Sequence, residues 1–162
     1  MFKGILLAKI GEQFETADHL LKLVPRQSLD WQPLAGSLRL GELIGHLLEC
    51  AAGFCAALYA ACPDRLAHFA RLRELEVNHR CGAEEARARL GEYRAAVEEG
   101  FDLISDDDLT RKLPTVFVAE GEPLLAIMLG NLEHFINHKH QLFFYLKMLG
   151  AGVATRDLYR IR

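Results

Sequence analysis

The chain has no C-x-x-C pair, no excess of basic residues, no uninterrupted apolar run of membrane length and no low-complexity segment or repeat. Each absence excludes a class of protein. Its four cysteines, at 50, 55, 62 and 81, lack metal-finger spacing. Three of them lie in or at the end of an alanine-rich helical run, where cysteine behaves as a small hydrophobe. A reduced, cytoplasmic protein is the expectation. A formal net charge of -3 gives no electrostatic reason to expect nucleic acid. The locally basic stretch RLAHFARLRELEVNHR interleaves acids with its arginines, as a solvated face does. The run LLECAAGFCAALYAAC is broken by Glu49 and falls short of the roughly 20 residues a membrane span needs, so no membrane is expected. MFKGILLAKIGEQFE has a short apolar core and no small-residue cleavage site before its charges resume, so no secretory signal is expected. No P-loop, GxGxxG turn, nucleophile elbow or H-E-x-x-H helix is present. A di-iron bundle needs Glu-x-x-His on each of two helices, and that pattern occurs once, at Glu76 and His79.

What is present is an ordinary globular balance, 51% hydrophobic and 25% charged over 162 residues. That length suits a single domain spanning 1–162 that buries about two-thirds of its unfolded surface. Ile10, Phe14, Ala17, Leu21 and Val24 keep helical spacing until Pro25. Trp31, Gln32, Pro33 and Gly36 mark a loop, after which Ser37 is the expected N-cap of a second helix running to about residue 61, with Pro63 as its stop. Small residues there (Ala51, Ala52, Gly53, Ala56, Ala57) predict a close helix approach, within a bundle or across a dimer. Residues 63–82 form a long crossover that could hold a short helix. A third helix is expected over residues 83–104, then a loop with a short extended piece at 115–118. Pro123 fits the first turn of the last helix, and Gly150 its C-terminal cap. The fold class is therefore all-α: a four-helix bundle with a long crossover connection between the second and third helices.

The last helix carries three histidines in seven residues, NLEHFINHKHQLFFYLKMLG. With about 100° per residue, His134 and His138 project from one face together with Asn131, Gln141, Leu142 and Tyr145. His140 points away from that pair. Two imidazoles a turn apart can grip one ion, but an open site needs a third ligand from another helix. His46, in LGELIGHLLEC, is the best candidate. Read alone, a histidine there is more often a hydrogen-bonded core residue than a ligand. His19 has no inward partner that the sequence identifies, and solvent exposure is the favoured reading for His68 and His79.

The order of these features, DWQPLAGSLRLGELIGHLLE and then EHFINHKHQLFFYLKMLG about 90 residues later, resembles the DinB-like superfamily of four-helix-bundle metalloproteins. There a tryptophan–proline loop precedes the helix with the first metal histidine, and the final helix carries H-x-x-x-H followed by Q-L and a leucine-rich run to glycine. Trp31, Pro33, His46, His134, His138, Gln141, Leu142, Leu146 and Gly150 fall on those positions. One departure is His140, which stands where the family commonly has glycine. The resemblance implies one divalent ion per chain, zinc or nickel, held by His46, His134 and His138. It also implies a cytoplasmic location, a frequent homodimer and a small-molecule substrate. Some relatives are transferases or isomerases using low-molecular-weight thiols, and others resemble hydrolases.

Three neutral imidazoles would leave coordination positions open, so the site could activate water or a thiol cosubstrate. Glu42, Glu49 and Tyr145 are near enough on their helices to be candidate proton carriers or supports for the ligands. Cys50, one turn beyond His46, is a candidate fourth ligand or a packed thiol. The contrasting reading is a non-catalytic metal-binding module of stress response or partner interaction. Haem between opposed histidines is a third and minor one.

Overall fold

Four amphipathic stretches form α1 (Phe2–Lys22), α2 (Leu40–Ala61), α3 (Ala83–Leu103) and α4 (Leu124–Met148) in a computed structural model that describes residues 2–115 and 118–159. Helix α2 packs on α3 and α4, and α1 packs on the same two, so α1 and α2 face each other across the diagonal. The expected all-α bundle with its long second connection is what the chain forms. Phe14 from α1, Phe54 from α2 and Phe135 from α4 meet at the centre, each at most 2% exposed. The rings of Phe14 and Phe135 stack with centroids 5.2 Å apart.

Several helix ends differ from their sequence reading, for physical reasons. The expected cap Ser37 instead donates its hydroxyl to the Leu34 carbonyl at 2.7 Å. Helix α2 starts at Leu40 because the loop itself accepts its free N–H groups: Leu40 donates to the Trp31 carbonyl at 2.8 Å and Gly41 to that of Leu29 at 2.9 Å. Glu42 then reaches back to accept from the Arg39 amide at 2.8 Å, the acidic half of a capping box. Pro123 stands one residue outside α4, as its N-cap. Gly150 follows the C-terminus of α4 with a φ of 72°, the left-handed geometry expected of a glycine there. Short strands β1 (Lys112–Leu113) and β2 (Glu122–Pro123) pair antiparallel ahead of α4. Of the expected extended piece at 115–118, positions 116 and 117 lie outside the described residues.

Helix α2 is, at 22 residues, long and apolar enough to cross a membrane, contrary to the reading of Glu49 as a decisive interruption, but most of its surface is buried as the core helix of the bundle. Of the small residues, Gly53 serves a contact inside the bundle. A Cβ on Gly53 would lie 2.6 Å from Asn131 Oδ1 of α4, so a larger residue there would have to displace the amide that donates to the Cys50 carbonyl at 2.8 Å. The crossover holds a 3-10 helix at Ala67–Arg73 and then folds back onto α2. There Asn78 donates its amide to the Gly45 carbonyl at 3.2 Å and Cys81 donates to that of Gly41 at 3.0 Å. The approach at Gly45 is close enough that a Cβ would overlap the His79 carbonyl.

On the core side of α4, Lys139 is 2% exposed, and its ammonium donates to Gln13 Oε1, Thr16 Oγ1 and the Leu158 carbonyl. Burial depresses its pKa to about 8. The folded ammonium thus loses its proton near pH 8 and the unfolded one near the ordinary lysine value of about 10.4, so between those values the unfolded chain binds more protons and stability rises with pH. Urea unfolding from pH 7.5 to 10.5 should therefore show the wild type gaining on Lys139→Met across that window. Parallel curves would exclude the effect.

Candidate metal centre

The adjacency of α2 and α4 brings together histidines 92 positions apart. His46 Nε2 lies 3.1 Å from His138 Nε2. Ring centroids are 4.3 Å apart for His46 and His138, 4.7 Å for His134 and His138, and 5.3 Å for His46 and His134. One donor atom from each of His46, Cys50, His134 and His138 fits within 4.8 Å of all the others. His134 is exposed and His46 and His138 are half-buried, so the cluster opens to solvent along its His134 edge.

The hydrogen bonds behind the rings fix what each ring presents to the cluster. His46 Nδ1 faces Glu49 Oε2 at 2.9 Å and Asn78 Oδ1 at 2.7 Å. A carboxylate only accepts, so Nδ1 carries the proton and Nε2 presents its lone pair. On α4 the chain of donors ends on a backbone carbonyl. The Tyr145 hydroxyl donates to the Leu38 carbonyl at 3.0 Å and accepts from the Gln141 amide at 3.2 Å. The Gln141 carbonyl oxygen is thereby turned to His138 Nδ1, which donates to it at 3.0 Å. His138 Nε2 is thus also a lone pair, and two lone pairs face each other with no proton between them.

Such a pair needs a cation. Two Zn–N bonds of about 2.0–2.1 Å at a tetrahedral angle put the nitrogens roughly 3.3 Å apart, close to the spacing seen. A shared proton is the competing occupant. Burial, reinforced by the neighbouring His46 and His134, holds the His138 pKa below the usual histidine value against the raising effect of Gln141, and so disfavours it. The donor set therefore fits a borderline divalent ion.

The remaining sequence candidates have distinct places. Glu42 is committed to the N-terminus of α2 and is not directed at the cluster by any described contact. Glu49 supports His46. Tyr145 acts through Gln141 and is braced by Trp31, whose ring meets it edge-on at 5.3 Å. Cys50 is 1% exposed, its sulfur 3.6 Å from His134 Nδ1. Burial, followed by the charge of Glu49, pushes its thiol up to about 12, so without an ion it stays protonated. His140 is half-buried off the cluster face; burial, and then the charge of Lys139, lower its pKa. His19 pairs with Asp157 at 2.8 Å, and the half-exposed His68 pairs with Glu99 at 2.8 Å. His79 departs from its expected exposure: its side chain is only 17% exposed because the crossover presses it against α2 and α3.

Asn78 is a supporting residue that the sequence reading missed. It sits in the left-handed region, φ 58°, which asparagine tolerates better than most residues. Its local signal was the Gly41/Gly45 pair, one turn apart and ending next to His46, which invites a loop to close on that face.

Residues 11–142 match the sequence model of the DinB superfamily, a span that includes His46, His134 and His138. The chain belongs to the DinB superfamily. The crystal structure of a DinB-like protein from Bacillus subtilis, YjoA, is similar to it with a TM-score of 0.68, covering 90% of this chain and 92% of that one at 16% identity. That likeness shows a shared DinB bundle. No curated protein matches the chain.

Proposed function

We propose that this DinB bundle is a metal-dependent enzyme in which His46, His134 and His138 hold one divalent ion, zinc or nickel, and leave open positions on the solvent side. The observation that carries the reading is the pair of lone pairs aimed at each other 3.1 Å apart, each locked by a hydrogen-bonded partner behind its ring. Bound there, such an ion supplies Lewis acidity that makes water or a small thiol a stronger nucleophile near neutral pH. The chain's own groups bind and orient. Asn78 and Glu49 keep the proton of His46 on Nδ1, and Gln141 with Tyr145 does the same for His138. Cys50 lies within reach of the same ion, its buried thiol protonated while no ion is bound.

The reaction class is thiol-dependent S-transfer or hydrolysis of a small-molecule substrate in the cytoplasm, by a chain that forms homodimers. The test is elemental analysis of the purified protein followed by turnover assays with activated esters and with electrophiles plus small thiols. About one ion per chain, with turnover lost on chelation and regained with zinc or nickel, supports the reading. Thiol dependence selects the transferase. One tightly held ion with no metal-dependent turnover of either kind favours a non-catalytic metal-binding module instead.

A further inference from the structure

A second cluster of metal-ligating groups lies on the far side of the same crossover. His79, Cys81 and Glu85 bring one donor atom each to within 4.8 Å of one another. They come from two rigid pieces: the segment pinned onto α2 through Gly41 and Gly45, and the first turn of α3, which begins at Ala83. His79 Nε2 is hydrogen-bonded to Glu85 Oε1 at 2.8 Å, a pairing that an ion would replace. Cys81 is fully buried. His79 Nδ1 is buried with no hydrogen-bond partner among the described residues, while Nε2 is held by Glu85. A thiol, an imidazole and a carboxylate thus converge beside a ring whose second nitrogen is buried without a partner.

We propose that His79, Cys81 and Glu85 form a second divalent-metal site, of the zinc class, that clamps the crossover to the start of α3. One thiolate, one imidazole and one carboxylate suit zinc, with water from the exposed Glu85 side as the fourth ligand. On binding, Cys81 gives up its thiol proton to solvent and the sulfur takes its place on the ion. Arg89 sets the strength of the site. Its guanidinium lies 3.9 Å from Glu85 Oε1, while its other contacts are the Glu76 carbonyl and the Tyr93 hydroxyl. The ion competes with that charge, so this site is weaker than the three-histidine cluster. Its role follows from chain order: Asn78, which supports His46, immediately precedes His79, so fixing residues 79–81 fixes Asn78.

The full chain, stripped by a chelator and titrated with zinc sulfate against a chromophoric zinc indicator, should take up two equivalents, one tight and one weaker. Cys81→Ser and Glu85→Gln should each abolish the weaker equivalent and keep the tight one. His138→Ala should do the reverse. Glu85 is half-exposed, so Glu85→Gln decides the matter if Cys81→Ser fails to fold. A zinc equivalent lost in Glu85→Gln but kept in His138→Ala supports the second site even if the three-histidine reading fails. A titration in which no equivalent depends on Glu85 overturns it, whatever His138 does.

Discussion

His138→Ala should remove the tight zinc equivalent outright, whereas Gln141→Leu should weaken it by about 10–100-fold while leaving it in place. The difference follows from what each residue does. Deleting the imidazole takes away the only α4 nitrogen that faces His46 Nε2 at 3.1 Å. Deleting the amide leaves the imidazole but frees its tautomer, because nothing then holds the proton on Nδ1 against the carbonyl that accepted it at 3.0 Å. The same split should appear in stability. At zinc concentrations about 100 times Kd, binding adds about 2.7 kcal/mol to the folded state. For a chain of this size that raises Tm by roughly 5–11 °C, at about 2–4 °C per kcal/mol. The wild type should show that rise and His138→Ala should not. Calorimetry that finds equal zinc affinity in wild type and Gln141→Leu would remove the orienting role of Gln141 and Tyr145.

The second large effect is structural. Phe135→Ala should cost about 3–5 kcal/mol, or roughly 6–20 °C in Tm, by thermal and urea unfolding. Phe135 is fully buried and lies against both Phe14 and Phe54, with centroids 5.2 Å and 6.4 Å away. Phe135 also sits between His134 and His138 in α4, on the adjoining buried face of the helix. Its loss should therefore lower zinc affinity through helix displacement, an effect that added zinc partly reverses. A loss below 1 kcal/mol would mean that the three-ring centre collapses around the cavity.

The parts of this molecule that are periodic along the chain were legible before any coordinates. Helical spacing of apolar residues identified four helices, and the i,i+4 spacing of His134 and His138 put both rings on one face. His46 was legible as a candidate because it sits beside the apolar stripe of α2. What escaped was set by contacts between segments distant in sequence. Ser37 looked like an N-cap because its side chain is suited to that work, but Trp31 and Leu29 had already satisfied the amides in question through their carbonyls. Glu42 looked like a proton carrier because it shares a helix with His46, and the geometry of the helix start committed it elsewhere. Asn78 carried no periodic signal at all: its relation to His46 exists only because the loop folds back over Gly45. The relay from Tyr145 through Gln141 needed the Leu38 carbonyl, which no side-chain pattern reports.

The return of the crossover onto α2 divides that connection into two regimes of evolutionary freedom. Upstream of Asn78, the path over the 3-10 helix can lengthen or shorten at a cost that grows only slowly with loop size. Between Asn78 and Ala83 the strand of backbone is a fixed-length strut, tied at one end to the carbonyls of Gly41 and Gly45 and at the other to the start of α3. A single inserted residue there would rotate the asparagine off its imidazole while leaving all four helices intact, so descendants of this sequence should tolerate indels before residue 78 and purge them after it.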